Sequence, residues 1–311
     1  MPQFDVTIAG ELNLDLVLYG LPAELPHERE LLADRMALTL GSSSAIVAHN
    51  LAAMGCKVGF ISRIGDDALG KIALERLAES GVDVSKTCHV KGAITGLTVI
   101  LAREGGRNIL TYPGTSFELR LADLDLDYLS SARHFHLSSY YLQRALRPDV
   151  PKLFEILKRA GLTLSLDTND DPDDRWPKEI MEALRCVDVF LPNEREIKKI
   201  ADTDHLDEAI AHFANLVPLL VVKMGAAGAV AQRGGERFSS KSVKVTPVDP
   251  VGAGDSFDAG FLSQYVRGAD IAACLSSGNL AGAFSTTRPG GTEAFRDRKY
   301  QEQFWREHAE R

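Results

Sequence analysis

The chain is poor in the features that mark redox-active, membrane-spanning and nucleic-acid-binding proteins. Its four cysteines, Cys56, Cys88, Cys186 and Cys274, stand far apart with no C-x-x-C pair, which gives no basis for a disulfide framework or a zinc site. They read as reduced core residues. No apolar run reaches the roughly 18 residues that a membrane span needs. The longest candidate, Leu216 to Ala231, is broken by Pro218, Lys223 and several glycines. The N-terminus, Met1-Pro2-Gln3-Phe4-Asp5, lacks a basic region followed by an apolar core, so a cytoplasmic protein is expected. Lysine and arginine form no basic stripe and the net charge is −8, which argues against phosphate-tracking nucleic-acid binding. No repeat, low-complexity linker or G-x-G-x-x-G after the first strand is present, so a dinucleotide-dependent dehydrogenase has little support.

What is present is an ordinary globular composition, 45% hydrophobic and 25% charged over 311 residues. Short β-rich apolar runs at Phe4–Ala9, Lys57–Ile64, His134–Leu137, Leu162–Leu166, Val187–Leu191 and Leu219–Lys223 alternate with helical patterns. The helices are expected at Ser44–Met54, Ala68–Ser80, Val150–Ala160, Glu194–Ala201 and Asp207–Leu216, and near the C-terminus at Gly254–Arg267 and Ala269–Thr286. This alternation predicts an α/β fold in one domain over 1–311, with a central, mostly parallel sheet and helices on both faces. Two stretches, about 13–40 and 89–115, carry strand signals without helices. The second has a hairpin signal at Gly105-Gly106 between Thr98–Ala102 and Arg107–Thr111. They are expected to pair as a small β-sheet lid, or equally as a structural hairpin or a homodimer contact through its edge strands.

The sharpest local signal is Asp249-Pro250-Val251-Gly252-Ala253-Gly254-Asp255-Ser256, a glycine-rich turn running into a small-residue helix. The N–H groups of Gly252, Ala253 and Gly254 would face an anion from the positive end of the helix dipole. A carboxylate at Asp255, beside a bound phosphate, needs a task, and general base catalysis is one; helix capping is the other. Asn193-x-x-Glu196 fits a capping box as well as a ligand-binding role. Gly65-x-x-x-x-Gly70-Lys71 spells most of a P-loop, but Ile72 stands where Ser or Thr must ligate Mg²⁺, and this reading is rejected. His134 and His136 share a strand face and are expected to pack in the core, because no third metal ligand lies nearby. Asp167 and Asn169 follow a buried strand and are secondary candidates. Arg103 and Arg107 flank the hairpin turn as a solvated tip or an anion clamp.

The glycine-rich segment resembles the C-terminal signature of the ribokinase-like carbohydrate kinases, the PfkB family. Other stretches match in order: Gly10-Glu11-Leu12-Asn13-Leu14-Asp15, Gly41-Ser42-Ser43-Ser44-Ala45 with Gly65-Asp66-Asp67, Asn193-Glu194-Arg195-Glu196, and Lys223-Met224-Gly225-Ala226-Ala227-Gly228. The resemblance implies a ribokinase-like fold and an ATP-dependent kinase that phosphorylates a hydroxyl of a free monosaccharide or sugar acid. A nucleoside kinase and a noncatalytic sugar-binding homologue are the alternatives. It makes Asp255 the base, with Gly252, Ala253 and Gly254 stabilising the transferring phosphoryl group. Asn13, Asp15, Gly41, Ser42 and, in second place, Asn169 would hold the sugar. Asn193, Lys223, Gly225, Gly228, Gly254 and Asn279 would line ATP, and Glu196 would organise Mg²⁺ through water. Asp249 and carbonyls near Val251, Ser285, Arg288 and Gly290 would ligate K⁺. Two departures stand out. Ile46 replaces a substrate-contacting asparagine, and Pro250-Val251 replaces threonines near the cation loop.

Overall fold

A computed structural model describes residues 2–308. The chain opens on β1 (Phe4–Ala9) and leaves the main sheet for β2 (Leu14–Leu21) and β3 (Arg35–Leu40). It returns through α1 (Ser43–Ala53) to β4 (Val58–Ile61), followed by β5 (Arg63–Gly65), α2 (Ala68–Glu79) and β6 (Cys88–Val90). The hairpin β7 (Leu97–Arg103) and β8 (Gly106–Tyr112) comes next, then α3 (Leu126–Ser130), β9 (Ala132–Leu137), α4 (Val150–Arg159) and β10 (Thr163–Leu166). After these lie α5 (Ile180–Leu184), β11 (Val189–Phe190), α6 (Glu194–Ala201), α7 (Leu206–Ala214) and β12 (Leu219–Lys223). A second hairpin, β13 (Ala229–Arg233) and β14 (Glu236–Ser240), leads to α8 (Ala253–Tyr265), α9 (Ile271–Ser285) and α10 (Arg298–His308).

Eight strands form the main sheet in the order β14-β13-β12-β11-β10-β9-β1-β4, with β13 alone running against the others. Its central strands are largely apolar because both faces are covered. On one face Phe135, Leu137, Phe154, Phe190 and Phe213 pack together, and on the other Ile8, Leu51, Phe60, Val221 and Phe261. The strand order reverses direction at β1, whose neighbours are β4 and β9. The crevice beyond the carboxyl ends of such strands is where open α/β sheets bind ligands.

The two stretches without helices do pair: β3-β2-β7-β8 form a separate four-stranded sheet, with β2 and β7 parallel and the other pairs antiparallel. Its register aligns Thr39, Asp15, Thr98 and Thr111 on one face, and places Leu38, Leu16, Val99 and Leu110 on the other.

Two expectations need correction. Lys57–Ile64 is not one strand: at Ser62 it divides into β4 in the main sheet and β5, which pairs with β6. The hairpin loop is Glu104-Gly105 rather than Gly105-Gly106, since Arg103 pairs with Gly106, and Gly105 takes the positive φ of 83° that such a loop requires. The β13–β14 hairpin, turning at Gly234-Gly235, and α10, which follows the Pro-Gly turn near residue 289, add to the expected elements. His134 and His136 lie in the core as expected. Both are buried and hydrogen-bonded to Ser165, with Thr163 and Ser138 completing the chain, and burial holds both rings neutral.

Candidate active site

The first wall of the cleft is the start of the second sheet. Asn13 Nδ2 donates to Thr98 Oγ1 at 3.2 Å, and the Ser42 hydroxyl donates to Asn13 Oδ1. Gly41 runs beside them. A Cβ there would lie 2.2 Å from Asp15 Oδ1 and 2.7 Å from Asn13 Oδ1, so only glycine lets the two polar side chains rest against the backbone. Burial pushes the Asp15 carboxyl up to about 7; the charges of Asp255 and Asp249 add to the rise, while the Thr98 hydroxyl and Arg107 oppose it. The structure therefore gathers Asn13, Asp15, Gly41 and Ser42, residues far apart in the chain, into one polar patch of the kind that paired hydroxyls of a polyol can satisfy.

The facing wall is the turn into α8. Gly252 has a φ of 71°, and a Cβ on it would strike the Gly291 backbone at 2.6 Å. Ile46, on α1, packs its methyl groups beneath both glycines, so the residue that replaces an amide props up the turn. Helix N-terminal amides have no intrahelical acceptor and remain available to an anion. Of the three expected donors, Ala253 N–H is engaged by Pro250 O at 3.3 Å. Asp255, in the first turn of α8, is half-buried, and its carboxyl is pushed up to about 7. Desolvation is the main cause, the Asp167 charge adds to it, and Lys223 and a Ser43 hydrogen bond counter it. A carboxylate poised near neutrality suits a general base.

Asn169 lies outside the Asn13 patch. Its Nδ2 donates to Ser43 Oγ at 2.9 Å and Ser139 Oγ at 3.3 Å, which links it to Asp255 through Ser43. Ser139 in turn donates to the buried Glu11, which also receives Ser44 and Gln143. At the far side Glu196 and Asn193 form a reciprocal capping box on α6, and Thr168 Oγ1 donates to Glu196 at 3.1 Å. The capping reading of Asn193-x-x-Glu196 holds, and the cap keeps a buried carboxylate, pushed up to about 7 by burial and by Asp167, at the edge of the cleft.

Comparison with known proteins gives this geometry a context. Residues 3–298 match the sequence profile described as pfkB family carbohydrate kinase. The chain belongs to the pfkB family of carbohydrate kinases. Among its relatives, the ATP-dependent ribose-1-phosphate kinase of Halopiger xanaduensis is 29% identical over 293 residues, covering 93% of this chain and 94% of the relative. The 2-dehydro-3-deoxygluconokinase of Bacillus subtilis is 27% identical, covering 84% of each. A solved E. coli protein described as a ribokinase II in complex with ATP and Mg²⁺ superposes with a TM-score of 0.84 at 26% identity, over 98% of this chain and 99% of that one.

As a member of this family the protein is an ATP-dependent sugar kinase, and its residues can be tested against the groups the reaction needs. Mg²⁺ fits. The Glu196 carboxylate is fixed at the edge of the cleft, and the buried Asp167 carboxylate has only the Lys223 ammonium beside its Oδ1, at 3.2 Å, so hydrated Mg²⁺ would meet oxygen ligands through its waters. K⁺ fits less well. Val251 N donates to Asp249 Oδ1 at 2.9 Å, while Gly290 N at 3.1 Å and the Tyr19 hydroxyl at 2.8 Å both donate to Oδ2. The backbone oxygens of Val251, Ser285, Arg288 and Gly290 remain, but a cation using the carboxylate would displace Tyr19.

Two nucleotide candidates make contacts within the protein. Asn279 Nδ2 donates to Ser240 O, tying α9 to the end of β14. Lys223 is buried and its ammonium faces Asp258 and Asp167. Gly228 keeps the tight turn before β13: its φ is 97°, and a Cβ would sit 2.1 Å from Ser240 O, whereas Gly225 borders open space. Sequence reasoning missed the parts played by Glu11, Ser43 and Asp258. For Glu11 and Asp258 a signal existed, since each is a carboxylate set among small and apolar residues close to a site candidate, Asp15 or Asp255.

Proposed function

We propose that this kinase transfers the γ-phosphoryl group of Mg·ATP to a hydroxyl of a free monosaccharide or sugar acid, with Asp255 as the base. The observation that carries the reading is the half-buried Asp255 carboxylate at the start of α8, close enough to Asp15 for their charges to interact. The Asn13–Asp15 patch orients the sugar, and Asp255 takes the hydroxyl proton as the new P–O bond forms. Amides of the Gly252–Gly254 turn receive the charge that develops on the phosphoryl oxygens. Mg²⁺, organised by Glu196, supplies neutralisation of the phosphate charge. Gly225 and Gly228 leave backbone beside the nucleotide.

A nucleoside substrate would call for an aromatic stack in the cleft. Tyr19 is bonded to Asp249, Arg144 covers Phe117, and Tyr112 lies on the outer face of the second sheet opposite Leu97. Three aromatic candidates are therefore committed elsewhere, which favours a sugar. The second sheet serves as the lid in this reading. Its outer face carries exposed Met36, Leu110 and Tyr112, which supports a homodimer formed face to face through the lid rather than by its edges. Sedimentation of Leu110→Lys should then report monomers; an unchanged mass would remove that contact. A cytoplasmic setting fits the substrates, and no helix among the described residues is long and apolar enough to cross a membrane.

The deciding experiment measures ADP release from Mg·ATP across free hexoses, pentoses, sugar acids, sugar phosphates and nucleosides, with and without K⁺. Turnover of free sugars or sugar acids is expected. Turnover of nucleosides alone would replace the substrate assignment, and silence with intact ATP binding would favour a noncatalytic homologue.

A further inference from the structure

Lys223 ends β12 at the carboxyl edge of the main sheet, and its side chain is directed inward. The ammonium is 2.9 Å from Asp258 Oδ2 and 3.2 Å from Asp167 Oδ1, and all three residues are buried. Asp258 lies three residues after Asp255 on α8, so the two carboxylates are neighbours along one helix face. A Cβ built on Gly254 would be 3.7 Å from the Lys223 ammonium, which sets the cation against the turn that supplies the anion hole. Asp258 Oδ1 has no hydrogen-bond partner, and Asp167 Oδ1 meets only the Lys223 ammonium.

The charged groups that face Asp255 are Glu11 beyond β1, Asp15 on β2, Asp167 beyond β10, Lys223 on β12 and Asp258 on α8. Lys223 is the cation of this set. One ammonium against two close carboxylates leaves a negative excess beside the catalytic residue. That excess strengthens Asp255 as a proton acceptor, and Lys223 limits how far the effect goes. An ammonium spent on phosphate recognition would instead be left free at the cleft surface.

We propose that Lys223 and Asp258 are positioning residues for phosphoryl transfer, an internal ion pair that anchors the first turns of α8 and sets the charge around Asp255, instead of a nucleotide contact. The inference rests on the kinase reading of Asp255, so its test includes a readout that needs no turnover. Protein isotope-labelled at the aspartate carboxyl carbons is titrated by NMR as wild type, Lys223→Met and Asp258→Asn, with the Asp255 resonance assigned through Asp255→Asn. The Asp255 midpoint should rise by about one pH unit in Lys223→Met and fall by about one in Asp258→Asn, the lower end of what a close charge does. In steady-state kinetics both variants should lose roughly tenfold or more in kcat, with KM for Mg·ATP within about threefold of wild type.

Midpoints that stay in place, or move the same way in both variants, overturn the proposal. So does a Lys223→Met enzyme with unchanged kcat and a greatly raised KM for Mg·ATP, which would make the lysine a nucleotide contact. Each single variant strands a buried charge and can cost the fold. The charge-balanced Lys223→Met/Asp258→Leu protein covers that case: lowered kcat at near-constant KM is expected, and wild-type kcat refutes the pair. Opposite midpoint shifts in a protein that phosphorylates no sugar would leave the ion pair standing and remove the kinase reading alone.

Discussion

Along the carboxyl edge of the main sheet, the side chains that matter are buried and bonded to one another: Glu11 to Ser44, Ser139 and Gln143, Glu196 to Asn193 and Thr168, Lys223 to Asp258. The second sheet is built on other terms. β8 is exposed along its whole length, and the polar positions Asp15, Thr98 and Thr111 are set by strand register. One wall fixes charge where a displacement would stop the chemistry, and the other presents a surface that can adapt to a substrate. Damage to the first should appear in kcat and damage to the second in KM.

The largest effect expected tests the buried wall. Asp255→Asn keeps the shape of the side chain and removes its basicity, so turnover should fall by a factor on the order of 10² to 10⁴ while sugar binding, read by calorimetry, changes little. Unaltered turnover would strip Asp255 of its role and erase the contrast between the walls. The next effect tests the opposite wall. Gly41→Ala inserts a methyl group 2.2 Å from Asp15 Oδ1, which should raise KM for the sugar by roughly tenfold, about 1.4 kcal/mol, with a smaller change in kcat. A loss confined to kcat would show that the patch acts in the chemical step.

A third measurement asks how much the fold tolerates for its desolvated carboxyls. Asp15 and Asp255 have folded values near 7, above the roughly 4 of an unfolded aspartate. Below about pH 4 both states are protonated and no difference arises. Between about 4 and 7 the folded chain binds more protons than the unfolded one, so stability falls as pH rises, and above 7 the penalty is complete. Denaturant midpoints of the ligand-free protein should therefore decline from pH 5 to pH 8, with a shallower decline in Asp255→Asn. An equal slope in wild type and variant would mean that Asp255 is already ionised at low pH.

The contrast also explains what was legible in the sequence. The buried wall stands on strands such as Phe4–Ala9 and Leu219–Lys223, whose β-rich, largely apolar composition gave their limits to the residue, and on the Gly252–Gly254 turn, whose small residues mark a helix start. The second sheet was legible as strand-rich, but its strand order was not, because pairing β2 with β7 depends on contacts about 85 residues apart. Side-chain commitments were the least visible. The Lys223 motif says where the backbone goes and nothing about Asp258, 35 residues later, to which the ammonium donates. Nothing local to Asn169 announces its hydrogen bond to Ser43.

The smallest effect expected lies where the two walls touch. Tyr19, on β2, donates to Asp249 Oδ2 at 2.8 Å, and Arg35 stacks on its ring at 4.5 Å, so a strand of the second sheet holds the carboxylate that a monovalent cation would need. Tyr19→Phe removes the hydroxyl while the ring and its cation contact remain. The hydrogen bond itself is worth about 1 kcal/mol, so stability should drop only slightly. The informative change is in salt dependence: with Asp249 Oδ2 freed, K⁺ should stimulate kcat more in Tyr19→Phe than in wild type, compared against Na⁺ at equal ionic strength. Equal stimulation in both would mean that a cation reaches the backbone oxygens without the carboxylate, and that Tyr19 only joins the second sheet to the turn.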